Sequence, residues 1–259
     1  MNGDRIMAVG RDVTQRAVRV GRRQYLRALG RAVELVAPDG VVGGMSGLMA
    51  RLPLTPEHVL LGYTQGMFPM EHGGRIDWQC PEPRAVLPLD LLHIPSRDRT
   101  YLRKGLFDFR FDTDPDGVMQ ACADRSQTWL TTRVQTVYRQ LWEIEAMHTV
   151  EAWQDGRLVG GAFGVAVGTV FTVDSMFSRA NHASKLAFAH LCQRLGEWEF
   201  DVVDCQYLKP HFGRFGAIEI PREEYRRVIA RGLAVRAPSF GERDRTQPSV
   251  TPMARPDRR

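Results

Sequence analysis

Residues Thr149–Gln206 decide the fold. They open with TVEAW (149–153), turn at QDGR (154–157), and continue through LVGGAFGVAV (158–167) and TVFTVD (169–174). The helical run ASKLAFAHLCQRLGEW (183–198) and the short apolar VVDCQ (202–206) follow. The first three segments are β-branched or small-residue runs. The Asp155–Gly156 pair between the first two suits a tight hairpin, because both central positions of that turn take positive φ. Ala187, Leu191, Leu195 and Trp198 recur at helical spacing and predict one buried helix stripe. Antiparallel strands, a helix and a returning strand predict an α+β layer.

That order of elements resembles the acyltransferase-like (GNAT-type) fold, a mixed sheet with flanking helices. Members of that fold cradle the pyrophosphate of coenzyme A on a glycine-rich turn that opens a helix. Here the corresponding turn is SRANHASK (178–185), which has no glycine. A side chain at such a turn keeps backbone amides from closing on a pyrophosphate. The sequence therefore predicts no cofactor and speaks against coenzyme A. Ser175, at the end of the preceding strand, and Ser178, at the head of this turn, are candidate caps of the following helix.

Outward from this core, Thr55 reads as an N-cap with Pro56 at the first helical position, and that helix is expected to run to about Gln65 before Gly66–Pro69 stops it. Asp77–Arg84, DWQCPEPR, reads as a proline-stiffened loop. Helices are expected over Val118–Cys122, Thr132–Ala146 and Arg222–Ala230, and an amphipathic one over Gln24–Val36. Gly40–Gly47 lacks the lysine of a phosphate-binding loop and reads as a turn. The expected organisation is a flexible basic N-terminus (1–20), a smaller N-terminal α/β domain (21–93), an acyltransferase-like domain (94–236) and a basic tail (237–259).

The 259 residues carry a net charge of +5, and Met1–Glu34 holds eight Arg against three acids. Basic ends suit a polyanion, nucleic acid first. No apolar run approaches the ~20 residues of a membrane span. The four cysteines are scattered without a C-x-x-C, which predicts neither a disulfide framework nor a zinc site, and no metal is expected. A reduced, cytoplasmic protein that acts as a monomer is the expectation.

Two groups of residues stand out chemically. In the last strand Asp204 and Gln206 are two apart, so they project to one face with Cys205 opposite. Both a structural hydrogen-bonded pair and a site that accepts from an incoming amine fit this pattern. Trp78 and Trp129 lie beside arginines in loop contexts and are either platforms for a nucleobase or buried anchors. His182 and His211, in polar loops, are assigned no role.

Six segments in order then resemble one family. LLGYTQGMFPM, DWQCPEPRAVLPLDLLHI, TWLTTRV, EAWQDGRLVGGAFGV, DSMFSRANHASK and DCQYLKPHFGRFGAIEIPR look like the leucyl/phenylalanyl-tRNA–protein transferases over roughly Leu60–Tyr225. The resemblance implies an aminoacyltransferase that moves leucine or phenylalanine from aminoacyl-tRNA to the N-terminal amine of an acceptor protein, which marks it for degradation. It implies Asp204 and Gln206 as the catalytic pair, with the acid orienting and polarising the amide whose oxygen accepts from the amine. It also implies Trp78 and Trp129 around the terminal adenosine, and an amino-acid pocket of Ala162, Phe171, Asp174, Phe188, Leu191 and Leu195.

The chain departs from the family pattern where it has Asp174 for the usual Glu, Ala162 for a Met, Gln79 for a second Trp, Lys209 for an Asn and Arg214–Phe215 for Ser-Leu. Lys209 and Arg214 are candidate acceptor-site residues, and their charge predicts a shift of acceptor preference toward acidic N-termini. Which amino acid is transferred stays open. The alternatives are a coenzyme A-dependent N-acyltransferase and a non-catalytic tRNA-binding protein on the same scaffold.

Overall fold

The computed structural model describes residues 52–235, together with Met49 and Phe240. The expected helix over Gln24–Val36, the Gly40–Gly47 turn and both basic ends lie outside the described residues, Phe240 excepted.

The first described helix, α1 (Pro56–Thr64), starts as the sequence predicts, with the Thr55 hydroxyl accepting from the His58 amide at 3.3 Å. Gly66, at φ +74°, ends it, and its amide donates to the Tyr63 carbonyl. A small hairpin follows, β1 (Phe68–His72) with β2 (Arg75–Gln79), turned at Gly73–Gly74, where both residues have positive φ. Asp77–Gln79 therefore belongs to a strand, and only Cys80–Pro83 of the expected proline-stiffened loop is a connection.

The main body is a seven-stranded sheet in the order β4-β5-β6-β7-β8-β3-β9. Its strands are β3 (Arg84–Pro88), β4 (Asp108–Phe111), β5 (Met147–Gln154), β6 (Arg157–Val167), β7 (Val170–Ser178), β8 (Val202–Gln206) and β9 (Ile218–Ile220). Only β7 and β8 pair in parallel, and the helix between them is the crossover such a pair requires. The observed mixed sheet with helices agrees with the α+β expectation. One boundary needs correction. β3 precedes residue 93, yet it lies between β8 and β9 in the large sheet, so the hand-over between the two parts falls between β2 and β3. A run as apolar as RAVLP is best placed inside a large sheet, buried on both faces: Ala85 and Leu87 pack on one side, Val86 on the other.

Between the strands lie α2 (Ser96–Arg103), α3 (Pro115–Ala123), α4 (Thr132–Glu143), α5 (Ala183–Glu197), the short α6 (Pro210–Gly213) and α7 (Arg222–Ala234). The face covered by α5 buries Val150, Ala162, Phe171, Val173, Val203 and Cys205 under Phe188, Leu191 and Leu195. The other face buries Phe163, Val165 and Val167 against α1, α3 and α4. Asp155 and Gly156 take φ +51° and +71° between β5 and β6, as the Asp-Gly turn requires. Among the described residues no helix is long and apolar enough to cross a membrane.

Candidate active site

The second face of the sheet carries a polar cluster at its centre, and two irregularities in neighbouring strands build it. On β7, Phe163 faces Ser175 and Gly164 faces Val173, so Asp174 is left without a cross-strand partner. Such a bulge turns two consecutive side chains to one side. Thr172, Asp174 and Ser175 accordingly all point to the face of α1 and α3, whereas Phe171 and Val173 point to α5. A Cβ on Gly164 would come within 2.0 Å of the Thr172 carbonyl oxygen, so glycine is what lets β6 follow the bulge. On β8, Ala85 faces Gln206 and Val86 faces Asp204, with Cys205 as the extra residue and Gln206 at φ +63°.

Asp204 is fully buried and saturated. Its Oδ1 accepts from Arg84 Nε at 2.8 Å and from the Gln206 amide at 2.8 Å. Its Oδ2 accepts from Arg84 Nη2 at 2.5 Å, Tyr225 Oη at 2.7 Å and Thr172 Oγ1 at 3.1 Å. Arg84 is itself 1 % exposed, lies between the rings of Phe68 and Tyr225, and spends its remaining Nη1 on the Gly66 carbonyl at 2.9 Å. Burial alone would lower the Arg84 pKa, but the adjoining Asp204 carboxylate outweighs it and holds the guanidinium charged. Burial, with the Asp204 charge added, pushes the Tyr225 hydroxyl well up, so it stays a neutral donor.

Asp174 is the opposite case. Its Oδ1 accepts from Tyr63 Oη at 2.6 Å and from Gln206 Nε2 at 2.9 Å, and Tyr63 Oη also pairs with Tyr138 Oη at 2.7 Å. Its Oδ2 is shielded from solvent and has no hydrogen-bond partner among the described residues. Burial pushes the carboxyl up to about 8. The Asp204 charge adds to the rise, while the bonds from Tyr63 and Gln206 and the charge of Arg84 oppose it.

The geometry changes the expected division of labour. Asp204 and Gln206 do share a face, but Asp204 grips the Gln206 backbone amide and not its side chain. The Gln206 carboxamide is oriented by Asp174, which takes its Nε2–H and leaves Oε1 turned away from that pair. Asp174 is not part of the apolar set either. Ala162, Phe171, Phe188, Leu191 and Leu195 come together on the α5 side at 0–1 % exposure, a closed core, while the bulge puts Asp174 on the other face. Trp78 is also misplaced by the sequence reading. It lies on β2 at 5 % exposure with its ring against Gly62, where an added Cβ would meet the ring at 2.2 Å, so it offers no open face for stacking. Trp129 is only partly buried, beside Tyr138 and Phe163. Lys209 and Arg214 are exposed at the two ends of α6, just beyond Gln206. In the turn before α5, Ser178 Oγ accepts from the Ser184 amide at 3.2 Å, whereas Ser175 faces Arg125.

Sequence reasoning missed Arg84, Tyr63, Tyr138, Thr172 and Tyr225. Arg84 alone left a signal, a charged residue at the head of an apolar strand next to a strand carrying a buried-looking acid. No group of three or more His, Cys, Asp or Glu among the described residues is placed to hold a metal ion.

A family model described as leucyl/phenylalanyl-tRNA protein transferase matches residues 86–230, and the model of that transferase's N-terminal domain matches residues 53–82. The chain belongs to the leucyl/phenylalanyl-tRNA–protein transferase family. The junction between the two matched segments falls where β2 passes to β3. Among curated relatives, the transferase of Herpetosiphon aurantiacus is 42% identical over 181 residues, covering 70% of this chain and 95% of that protein. The transferase of Gloeobacter violaceus is 43% identical over 184 residues with the same coverage. A solved structure, L-PGS from Bacillus licheniformis, is similar at 12% identity and a TM-score of 0.37, covering 60% of this chain and 66% of that one, too distant to carry an argument.

Proposed function

We propose that this protein transfers leucine or phenylalanine from its tRNA to the N-terminal α-amino group of an acceptor protein, on an acyltransferase-like (GNAT-type) scaffold, and so marks the acceptor for degradation. The observation that carries the reading is a Gln206 carboxamide, at the end of β8, oriented by the half-buried Asp174 carboxylate, in a chain 42% identical to a transferase over 70% of its length. The reaction is aminolysis of an ester. An α-amino group has a pKa of about 8, so a useful neutral fraction exists at neutral pH. Holding that amine against the ester carbonyl can supply up to ~7–11 kcal/mol of the barrier in ideal cases.

In this reading the Gln206 carbonyl oxygen accepts an N–H of the attacking amine and aims its lone pair. Asp204, with Arg84, Tyr225 and Thr172, fixes the strand end that carries Gln206. In this reading Trp129 stacks on the terminal adenosine. The apolar set of Ala162, Phe171, Phe188, Leu191 and Leu195 receives the aminoacyl side chain by yielding, since it is closed in the free protein. Lys209 and Arg214 flank the acceptor entrance and repel a basic N-terminal side chain. The basic N-terminal stretch contacts the tRNA backbone, which requires binding to weaken steeply with salt.

The test is transfer of radiolabelled amino acid from a pool of charged tRNAs to peptides beginning with Arg, Lys, Asp or Glu. Label on peptide from Leu- or Phe-tRNA is the expected result. A clear preference for Arg or Lys peptides, unchanged in Lys209→Ala, would remove the acceptor-shift part of the reading. Absence of transfer from every charged tRNA would remove the reading itself.

A further inference from the structure

The two carboxylates of the cluster cannot both serve the reaction. When an amine attacks an ester, the nitrogen becomes positively charged as the C–N bond forms and must lose a proton. An amide oxygen accepts a hydrogen bond but is far too weak a base to keep the proton. Gln206 therefore aims the amine and cannot complete the step. Asp204 cannot take the proton either. It is 0 % exposed, and five donors occupy its two oxygens, two of them from the Arg84 guanidinium.

Asp174 has what Asp204 lacks. It stands on the same Gln206 carboxamide, 2.9 Å from Nε2, and its Oδ2 is enclosed with no hydrogen-bond partner among the described residues. An enclosed, unpaired carboxylate oxygen is costly to keep unless something uses it. The bulge is what turns it to this face. Tyr63 from α1, backed by Tyr138 from α4, pins Oδ1 and leaves only Oδ2 free to act.

We propose that Asp174, and not Asp204, is the proton carrier of the transfer reaction. This rests on the transferase reading. The ionised carboxylate takes one N–H proton from the attacking amine as the C–N bond forms. The resulting carboxylic acid gives it to the ribose oxygen as the C–O bond breaks and the tRNA leaves with its hydroxyl restored. Protons balance, and no further reactant is needed. A carboxyl whose pKa lies near about 8 is matched to this task, since a carrier works best near the operating pH. The groups that set that value are Tyr63 from α1, Arg84 from β3, and Asp204 and Gln206 from β8, with Tyr138 from α4 behind Tyr63.

The experiment is the pH profile of label transfer from Phe-tRNA, measured with two acceptor amines that differ in pKa by about two units. In the wild type, one limb near pH 8 should stay fixed when the amine is changed, because it belongs to the enzyme. Asp174→Asn should abolish that limb and cut turnover at least ~100-fold, with tRNA binding unchanged. Asp174→Glu should restore turnover to within about tenfold of wild type. Tyr63→Phe removes a bond that favours the ionised form and should move the limb to higher pH, a shift a merely structural tyrosine would not produce. If Asp174→Asn transfers within about threefold of wild type, or the only limb follows the amine, the carrier role is overturned while the transferase reading stands. A wild-type protein that transfers nothing overturns both.

Discussion

Two aspartates on adjacent strands of one sheet have been given opposite environments. Asp204 sits beside the extra residue of β8, Cys205, and is met by a guanidinium, two hydroxyls and a backbone amide. Asp174 sits at a bulge of β7 and is met by one tyrosine and one carboxamide, with an oxygen left over. The first arrangement neutralises a buried charge and ties β3, β7, β8 and α7 together. The second keeps a carboxyl unsettled and pushed up to about 8 by burial. Residue type does not separate a structural acid from a reactive one; the count of donors does.

The largest expected effect tests the structural half of this contrast. Arg84→Met leaves Asp204 buried and uncompensated, and should cost roughly 3–5 kcal/mol of stability in urea unfolding. A loss below about 1 kcal/mol would mean that water or another cation already serves Asp204. Asp174→Asn should do the reverse, lowering turnover at least ~100-fold, equivalent to about 2.7 kcal/mol of barrier, while the fold stays intact at neutral pH.

The next test is the pH dependence of stability. An unfolded Asp titrates near ~3.9, whereas Asp174 in the folded protein is raised to about 8. Between these values the folded state holds a proton that the unfolded state has released, so this group's contribution is full below about pH 4 and is lost as pH rises through about 8. The wild type should therefore lose stability relative to Asp174→Asn as pH rises across that window. A difference that stays flat would place the folded pKa near the ordinary value.

Smaller effects sharpen the contrast. Tyr225→Phe removes a donor to a charged acceptor and should cost roughly 1.5–3 kcal/mol in urea unfolding. Tyr138→Phe removes a neutral bond one step behind Asp174 and should cost only about 0.5–1.5 kcal/mol in thermal unfolding. If Tyr138→Phe lowered turnover as much as Asp174→Asn, the reactive unit would have to include both tyrosines.

The secondary structure that carries the site could be read from the chain because its signals are local. The Thr55–Pro56 cap, the Asp155–Gly156 turn, the α5 stripe and β8 all appear as predicted. The hairpin β1–β2 and β3 went unread, since short strands around Gly73–Gly74 and after the Pro83 connection lack a long periodic pattern. β7 was expected to end at Asp174 and runs to Ser178, because a bulge interrupts the alternation that marks a strand in sequence.

The sequence by itself determined the family, the α+β class and the pairing of Asp204 with Gln206 on one face, because motif order and two-residue periodicity are properties of the chain. Only the tertiary structure decided which acid is spent and which is free. Arg84 reaches Asp204 across 120 positions of sequence, and Tyr63 reaches Asp174 across 111. A hydrogen bond over such separations is set by how strands and helices pack, and the reactivity of a carboxylate is set by those bonds.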